Sequence, residues 1–233
     1  GSEMCIRDRL KTPLTSIIGY ADMLNSYELT EQERGEATYY IFSQGKRLES
    51  LSHKLLELVG MDRQELEFKK LQTKELEENI RDTMRIPFGR KSIRGKIDLE
   101  RGVIWGDRDL LLSLLYNLLD NAVKAVEEGG FILMKGSKRT QGYEIKVVDN
   151  GRGIPQEEIA RITEAFYMVD KSRSRKEGGA GIGMALCQKI ITLHQGELKI
   201  DSKLGEGTVM RLYFPGEMQA VNNKSNRGAK GGI

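Results

Sequence analysis

Asn117-Leu118-Leu119-Asp120-Asn121-Ala122-Val123-Lys124-Ala125 sets Asn117, Asn121 and Lys124 at i, i+4 and i+7. Residues at that spacing share one face of a helix. Beside them runs an apolar stripe of Leu111, Leu115, Leu118, Ala122 and Val126, which marks the buried side. Asp107 is a good N-cap for this helix, and Gly129-Gly130 ends it. Further on, Ile145-Lys-Val-Val148 reads as a buried strand, and Asp149-Asn-Gly151-Arg-Gly153 follows where the chain turns on glycine.

These two stretches fit one kind of ligand. Carboxamide oxygens are hard neutral donors suited to magnesium, which keeps several waters and takes few protein groups. Lys124 can meet a phosphate as a point charge. A carboxylate fixed at a strand end, as at Asp149, accepts a hydrogen bond from an exocyclic amine such as adenine carries. Gly151 and Gly153 are expected to let the backbone approach a flat base. Each signal has a plainer explanation. Asparagine near a helix end is often a solvated face or a cap, and Asp-Asn-Gly is strong turn chemistry.

Gly178-Gly179-Ala-Gly181-Ile-Gly183 leads into a helix over Ile182–His194. Glycine amides at a helix N-terminus suit phosphate. No Gly-Lys-Ser/Thr follows, so this is not a P-loop, and the spacing is not that of a Rossmann fingerprint. Lys171, Arg173, Arg175 and Lys176 lie just upstream in a long polar loop, residues 167–180. They would supply positive charge, or simply be solvated. Gly205-Glu-Gly207-Thr208 is a tight turn between two closing strands, Glu197–Ser202 and Thr208–Phe214.

The rest of the chain frames this unit. Leu14, Ile17, Ile18, Ala21 and Leu24 recur at helical spacing, with Thr12-Pro13 within or at the start of the helix. Thr30-Glu-Gln-Glu33 is a capping box that opens a second helix, whose stripe is Ala37, Ile41, Leu48, Leu51, Leu55 and Leu58. Two such helices form a hairpin that is expected to dimerise into a four-helix bundle. Beyond it, a strand within Glu67–Gln72, a helix over Thr73–Arg85 and two short strands within Lys96–Trp105 are expected. A hairpin of strands over Phe131–Lys138 and Tyr143–Asp149, and a short helix opened by Pro155, complete the order. Strands and helices mix without regular βαβ alternation. The fold class is therefore α+β: a helical hairpin, then an α/β sandwich.

Composition limits the alternatives. Hydrophobic content of 39% and charged content of 30% suit a soluble globular chain, and a net charge of +3 does not by itself argue for nucleic acid. Cys5 and Cys187 are far apart, which suits a reducing compartment without disulfides. No apolar run approaches the ~18 residues that span a bilayer. The chain is expected in the cytoplasm, with any membrane anchor in segments upstream. Cys187 and Trp105 are expected in packing, His53 on a helix surface, and His194 as a helix C-cap.

Taken together, the motifs resemble those of sensor histidine kinases. Asn117–Ala125 is similar to their asparagine box, Glu164-Ala-Phe166-Tyr to their phenylalanine box, and Asp149–Ile154, Gly179–Gly183 and Gly205–Thr208 to their glycine boxes. Leu10-Lys-Thr-Pro-Leu-Thr resembles the end of their phosphoacceptor box. The resemblance covers roughly residues 10–215. It implies ATP and Mg2+ as ligands, with Asn117 and Asn121 holding the metal. Lys124 and Arg173 or Arg175 would touch phosphates, Asp149 would read adenine, and residues 167–180 would form an ATP lid. Phe166, Lys171, Gly151, Gly153, Gly179, Gly181, Gly183 and Thr208 fall in the same nucleotide-binding boxes. Thr12 matches a position linked in the family to dephosphorylating the partner. That partner is a response-regulator receiver domain, beside a second copy of the chain and without nucleic acid.

The implied domains are a dimerising hairpin over 10–62, a catalytic ATP-binding domain over 66–216 and a disordered tail over 217–233. The family pattern His-Glu-x-Lys-Thr-Pro is not met. Asp8 stands at the histidine position and Arg9 at the glutamate position, so the acceptor is absent. Gly1–Arg9 is therefore expected to be non-native or disordered. The alternative is a pseudokinase that binds ATP and docks a regulator without phosphorylating itself.

Overall fold

The computed structural model describes residues 2–61, 66–165, 167 and 181–217, with only the backbone for 2–9. Two long helices come first, α1 (Ser2–Ser26) and α2 (Glu31–Gly60). Helix α1 starts at Ser2 rather than near Leu10, and Pro13 lies inside it. The capping box forms at Thr30. Its Oγ1 accepts from the Glu33 N–H at 3.3 Å, while its own N–H donates to Glu33 Oε2 at 2.9 Å. Tyr20 and Tyr40 stack with ring centroids 4.9 Å apart and join the two helices. Much of the hairpin's apolar surface stays wet, including Leu14, Ile18, Tyr39 and Phe42, the last 64% exposed.

The second part is an open sheet with helices on one face. Strands β2 (Arg94–Leu99), β4 (Phe131–Arg139), β5 (Gly142–Asp149), β7 (Gly207–Pro215) and β6 (Glu197–Lys203) lie side by side in that order. All pairs are antiparallel except β2–β4, which is parallel. A separate ribbon pairs β1 (Lys69–Gln72) with β3 (Val103–Gly106). The short strands either side of Arg101-Gly102 therefore pair elsewhere and not with each other.

Helices α3 (Thr73–Arg90), α4 (Arg108–Ala125) and α6 (Gly183–Leu193) cover the sheet, and α5 (Gln156–Ile159) is a single turn after Pro155. Helix α3 runs past the expected end at Arg85 and takes Pro87 into its final turns. Their buried residues meet those of the strands in one core, including Ile80, Leu115, Leu118, Ile145, Leu186, Ile190 and Leu212. Strand β5 shows the alternation this requires. Tyr143, Ile145, Val147 and Asp149 are buried, while Glu144, Lys146 and Val148 face outward. The same alternation that buries Val147 carries Asp149 inward at the strand's end.

Candidate functional site

Three elements converge at one end of the sheet. Helix α4 presents Asn117, Asn121 and Lys124, β5 ends on Asp149, and α6 begins at Gly183. Asp107 caps α4 as expected, its Oδ1 accepting from the N–H groups of Asp109 and Leu110 at 3.1 Å each. The C-terminus of α4 is fixed to the turn after β5, because the Arg152 N–H donates to Ala125 O at 3.1 Å.

The asparagines are oriented by their nitrogens. Asn117 Nδ2 donates to Ser113 O at 2.9 Å, and Asn121 Nδ2 donates to Met184 Sδ at 3.1 Å. Neither carboxamide oxygen accepts a hydrogen bond among the described residues. No group of three His, Cys, Asp or Glu side chains gathers to hold a metal among those residues. A divalent ion here would thus take neutral oxygens, waters and phosphate, the donor set that magnesium accepts. Lys124 is ion-paired with Asp120 at 2.6 Å, one turn back on α4. It would have to exchange that partner to meet a phosphate.

Asp149 is 8% exposed. Burial pushes its carboxyl above the usual aspartate range, against hydrogen bonds from the Gly151 and Thr208 N–H groups and the charge of Arg152. The Gly151 N–H reaches Oδ1 at 2.8 Å. In register, Asp149 pairs with Ile132 on one side and Thr208 on the other. Thr208 is buried, and its Oγ1 lies 2.8 Å from Ser202 Oγ, which also holds the Ile154 N–H at 2.8 Å. The β5 turn and the β6–β7 turn thereby form one hydrogen-bonded unit.

The turn glycines are closely packed against neighbouring elements. A Cβ on Gly151 would lie 2.6 Å from the carbonyl carbon of Ala125, and one on Gly153 would strike Lys203 O. Gly153 also has φ +69°. These glycines let the turn pack against α4 and β6. Gly181 has φ +69° and precedes buried Ile182 at the start of α6. A Cβ on Gly183 would lie 3.1 Å from Asn117 Oδ1, so α6 starts directly against the first asparagine.

Phe166, Lys171, Arg173, Arg175 and Gly179 lie outside the described residues, as do most of the expected lid and the tail beyond Glu217. The backbone at Asp8 belongs to α1, and Thr12 is an exposed position on the same helix. His53 is exposed on α2. His194 is more than a helix cap: fully buried, it joins α6 to the N-cap of α4. Cys187 is buried as expected, and burial pushes its thiol up to about 12.

Two family models match the chain. Residues 6–64 match the His Kinase A (phospho-acceptor) domain, and residues 106–218 match the histidine kinase-, DNA gyrase B- and HSP90-like ATPase. The first match begins at residue 6, ahead of Leu10. Sporulation kinase C of Bacillus subtilis is 29% identical over 217 residues, covering 90% of this chain and 47% of that protein. The chain spans about half the length of the curated relatives it matches. Among solved structures, full-length ShkA in complex with AMPPNP superposes with a TM-score of 0.66 and 26% identity, over 92% of this chain and 45% of that one. Histidine kinase ThkA in complex with the response regulator protein TrrA gives a TM-score of 0.74 at 21% identity, over 91% of this chain and 60% of that one.

Proposed function

The chain belongs to the sensor histidine kinases, and we propose that it binds magnesium-ATP between α4, the end of β5 and the start of α6. The observation that carries this is the pair of carboxamides: both nitrogens are held by the protein, and among the described residues neither oxygen accepts a hydrogen bond. Asp149 takes adenine's amine, and Lys124 turns from Asp120 to phosphate. Bound magnesium would neutralise phosphate charge, and the protein's share of phosphoryl transfer is mostly positioning. ShkA was solved with an ATP analogue, which supports the same ligand here.

The hairpin over 10–62 serves as dimerisation unit and the unit over 66–216 as catalytic domain. The exposed apolar residues of α1 and α2 support a second copy as partner, with a four-helix bundle between them. A response-regulator receiver domain is the downstream partner, consistent with the ThkA–TrrA complex.

The reaction proposed for the family unit moves the terminal phosphoryl group of ATP to a histidine and then to a regulator aspartate. Asp8 occupies the acceptor position, and buried His194 cannot replace it. This chain is therefore proposed to bind nucleotide without phosphorylating itself. Labelled ATP is expected to leave no acid-labile phosphate on it, and stable label would refute that restriction. The double substitution Asp8→His with Arg9→Glu is expected to restore labelling. Continued silence in a variant that still binds nucleotide would favour the pseudokinase reading.

A further inference from the structure

Helix α2 carries a basic residue into the site just described. Lys54 lies one turn from Leu51 and next to Leu55, both of which pack with Ile182 at the base of α6. Lys189 of α6 also donates to Leu58 O at 2.9 Å, so the two helices touch along more than one turn. At their junction, the space beside Gly183 is flanked by Asn117 Oδ1 and the Lys54 ammonium. A Cβ there would lie 3.1 Å from the first and 3.7 Å from the second.

The charges around Lys54 are poorly matched without a ligand. Burial and the nearby ammonium of Lys124 push its pKa down, and only Asp120, Cys187 and Glu57 act in the opposite sense. Asp120 is already bound to Lys124, and the Cys187 thiol is held protonated by burial. Among the described residues Lys54 makes no ion pair or hydrogen bond. The start of α6 also carries the positive end of that helix's dipole. Beside the N-terminus of α6, the Lys54 ammonium adds positive charge, and among the described residues no carboxylate is ion-paired with it; an anion placed there would be attracted by both.

We infer that Lys54, from the hairpin, is a ligand of the nucleotide's terminal phosphate. The inference rests on the nucleotide site proposed above and adds a residue from the other domain. Asp149, at the end of β5, is the adenine end of that proposed site. The hairpin touches the start of α6, beside the metal-side asparagine, where the outer phosphates would lie. A bound triphosphate would then bridge α2 and α6 through Lys54, and a diphosphate would lack the group that completes the bridge.

Calorimetric titration with AMPPNP, ADP and adenosine, each with magnesium, tests this. Lys54→Gln keeps a good helix former at a half-exposed position. It is expected to weaken AMPPNP about tenfold, the order of one charge-assisted hydrogen bond, while ADP changes less than about threefold and adenosine not at all. Lys54→Arg retains the charge and is expected to keep the triphosphate preference. Equal losses for all three ligands in Lys54→Gln would make Lys54 a packing residue and overturn the inference. So would unchanged or tighter AMPPNP binding, the latter marking the ammonium as a competitor of the metal. Loss of the triphosphate preference in Lys54→Arg would overturn it independently of Lys54→Gln. If the unsubstituted chain binds none of the ligands, the nucleotide site itself is wrong.

Discussion

His194 Nε2 accepts a hydrogen bond from the backbone N–H of Asp107 at 3.1 Å. Its Nδ1 lies 2.8 Å from Ile190 O and donates there. The ring is therefore neutral, and it ties the end of α6 to the cap of the helix that bears both asparagines.

That neutrality sets a pH dependence. Burial lowers the pKa of His194, against the opposing effects of the Ile190 and Asp107 hydrogen bonds and the Asp107 charge. The unfolded chain then takes up a proton near pH 6.5 that the folded chain refuses. Stability is full above that pH and falls as the pH drops toward the lowered value. Thermal melts between pH 8 and 5 are expected to show this loss, and His194→Gln is expected to flatten it. An unchanged slope in that variant would refute the assignment.

A second acid-sensitive group lies on the buried face of α3. Glu77 is nearly buried and accepts from the Leu99 N–H at 2.9 Å and from Lys74 at 2.8 Å, with Arg81 paired to its other oxygen. Burial alone would raise its carboxyl, but those partners outweigh burial and hold it below the usual range. Its contribution is present above about pH 4.3 and lost as pH falls through the lowered value. Glu77→Leu is expected to cost about 1–3 kcal/mol by leaving the Leu99 N–H buried and unpaired. Urea denaturation at pH 7 measures it.

Asn121→Ala removes one oxygen from the proposed metal face. Magnesium-dependent binding of AMPPNP is expected to disappear, while adenosine, which needs no metal, keeps its affinity. Equal AMPPNP affinity in the variant would reject the assignment.

Asp149 is expected to link adenine affinity to pH. Its raised carboxyl must be ionised to take the amine, so binding weakens as pH falls, beginning above the range of an ordinary aspartate, about 3.9. Asp149→Asn is expected to lower affinity by roughly 1–3 kcal/mol and to abolish that limb in a fluorescence titration.

Gly153→Ala tests the packing role of the turn. Its positive φ and the Lys203 carbonyl in the way are expected to cost at least about 2 kcal/mol of stability, measured by chemical denaturation. A neutral change would refute the packing role.

Much of this site is local in origin, which is why it can be read along the chain. The i, i+4 spacing of Asn117 and Asn121, the Asp107 cap and the alternation that buries Asp149 each depend on a few neighbouring residues. The capping box at Thr30 is equally local. Effects of distant packing were not legible. Nothing near Gly151 in sequence announces that Ala125 will crowd it, and nothing near Lys54 points to Gly183. The end of α3 lies beyond Arg85 because the helix takes in Pro87, a residue that usually marks a boundary, whereas Pro13 lies within α1, one of the two places expected for it.

The wet apolar side chains of the hairpin have one more consequence. If a second copy covers Leu14, Ile18, Tyr39 and Phe42, the cohesion of α1 with α2 obeys mass action and varies with protein concentration. Dilution, rather than heat, would then be the mildest way to take this molecule apart, and its melting point would climb as the sample is made stronger.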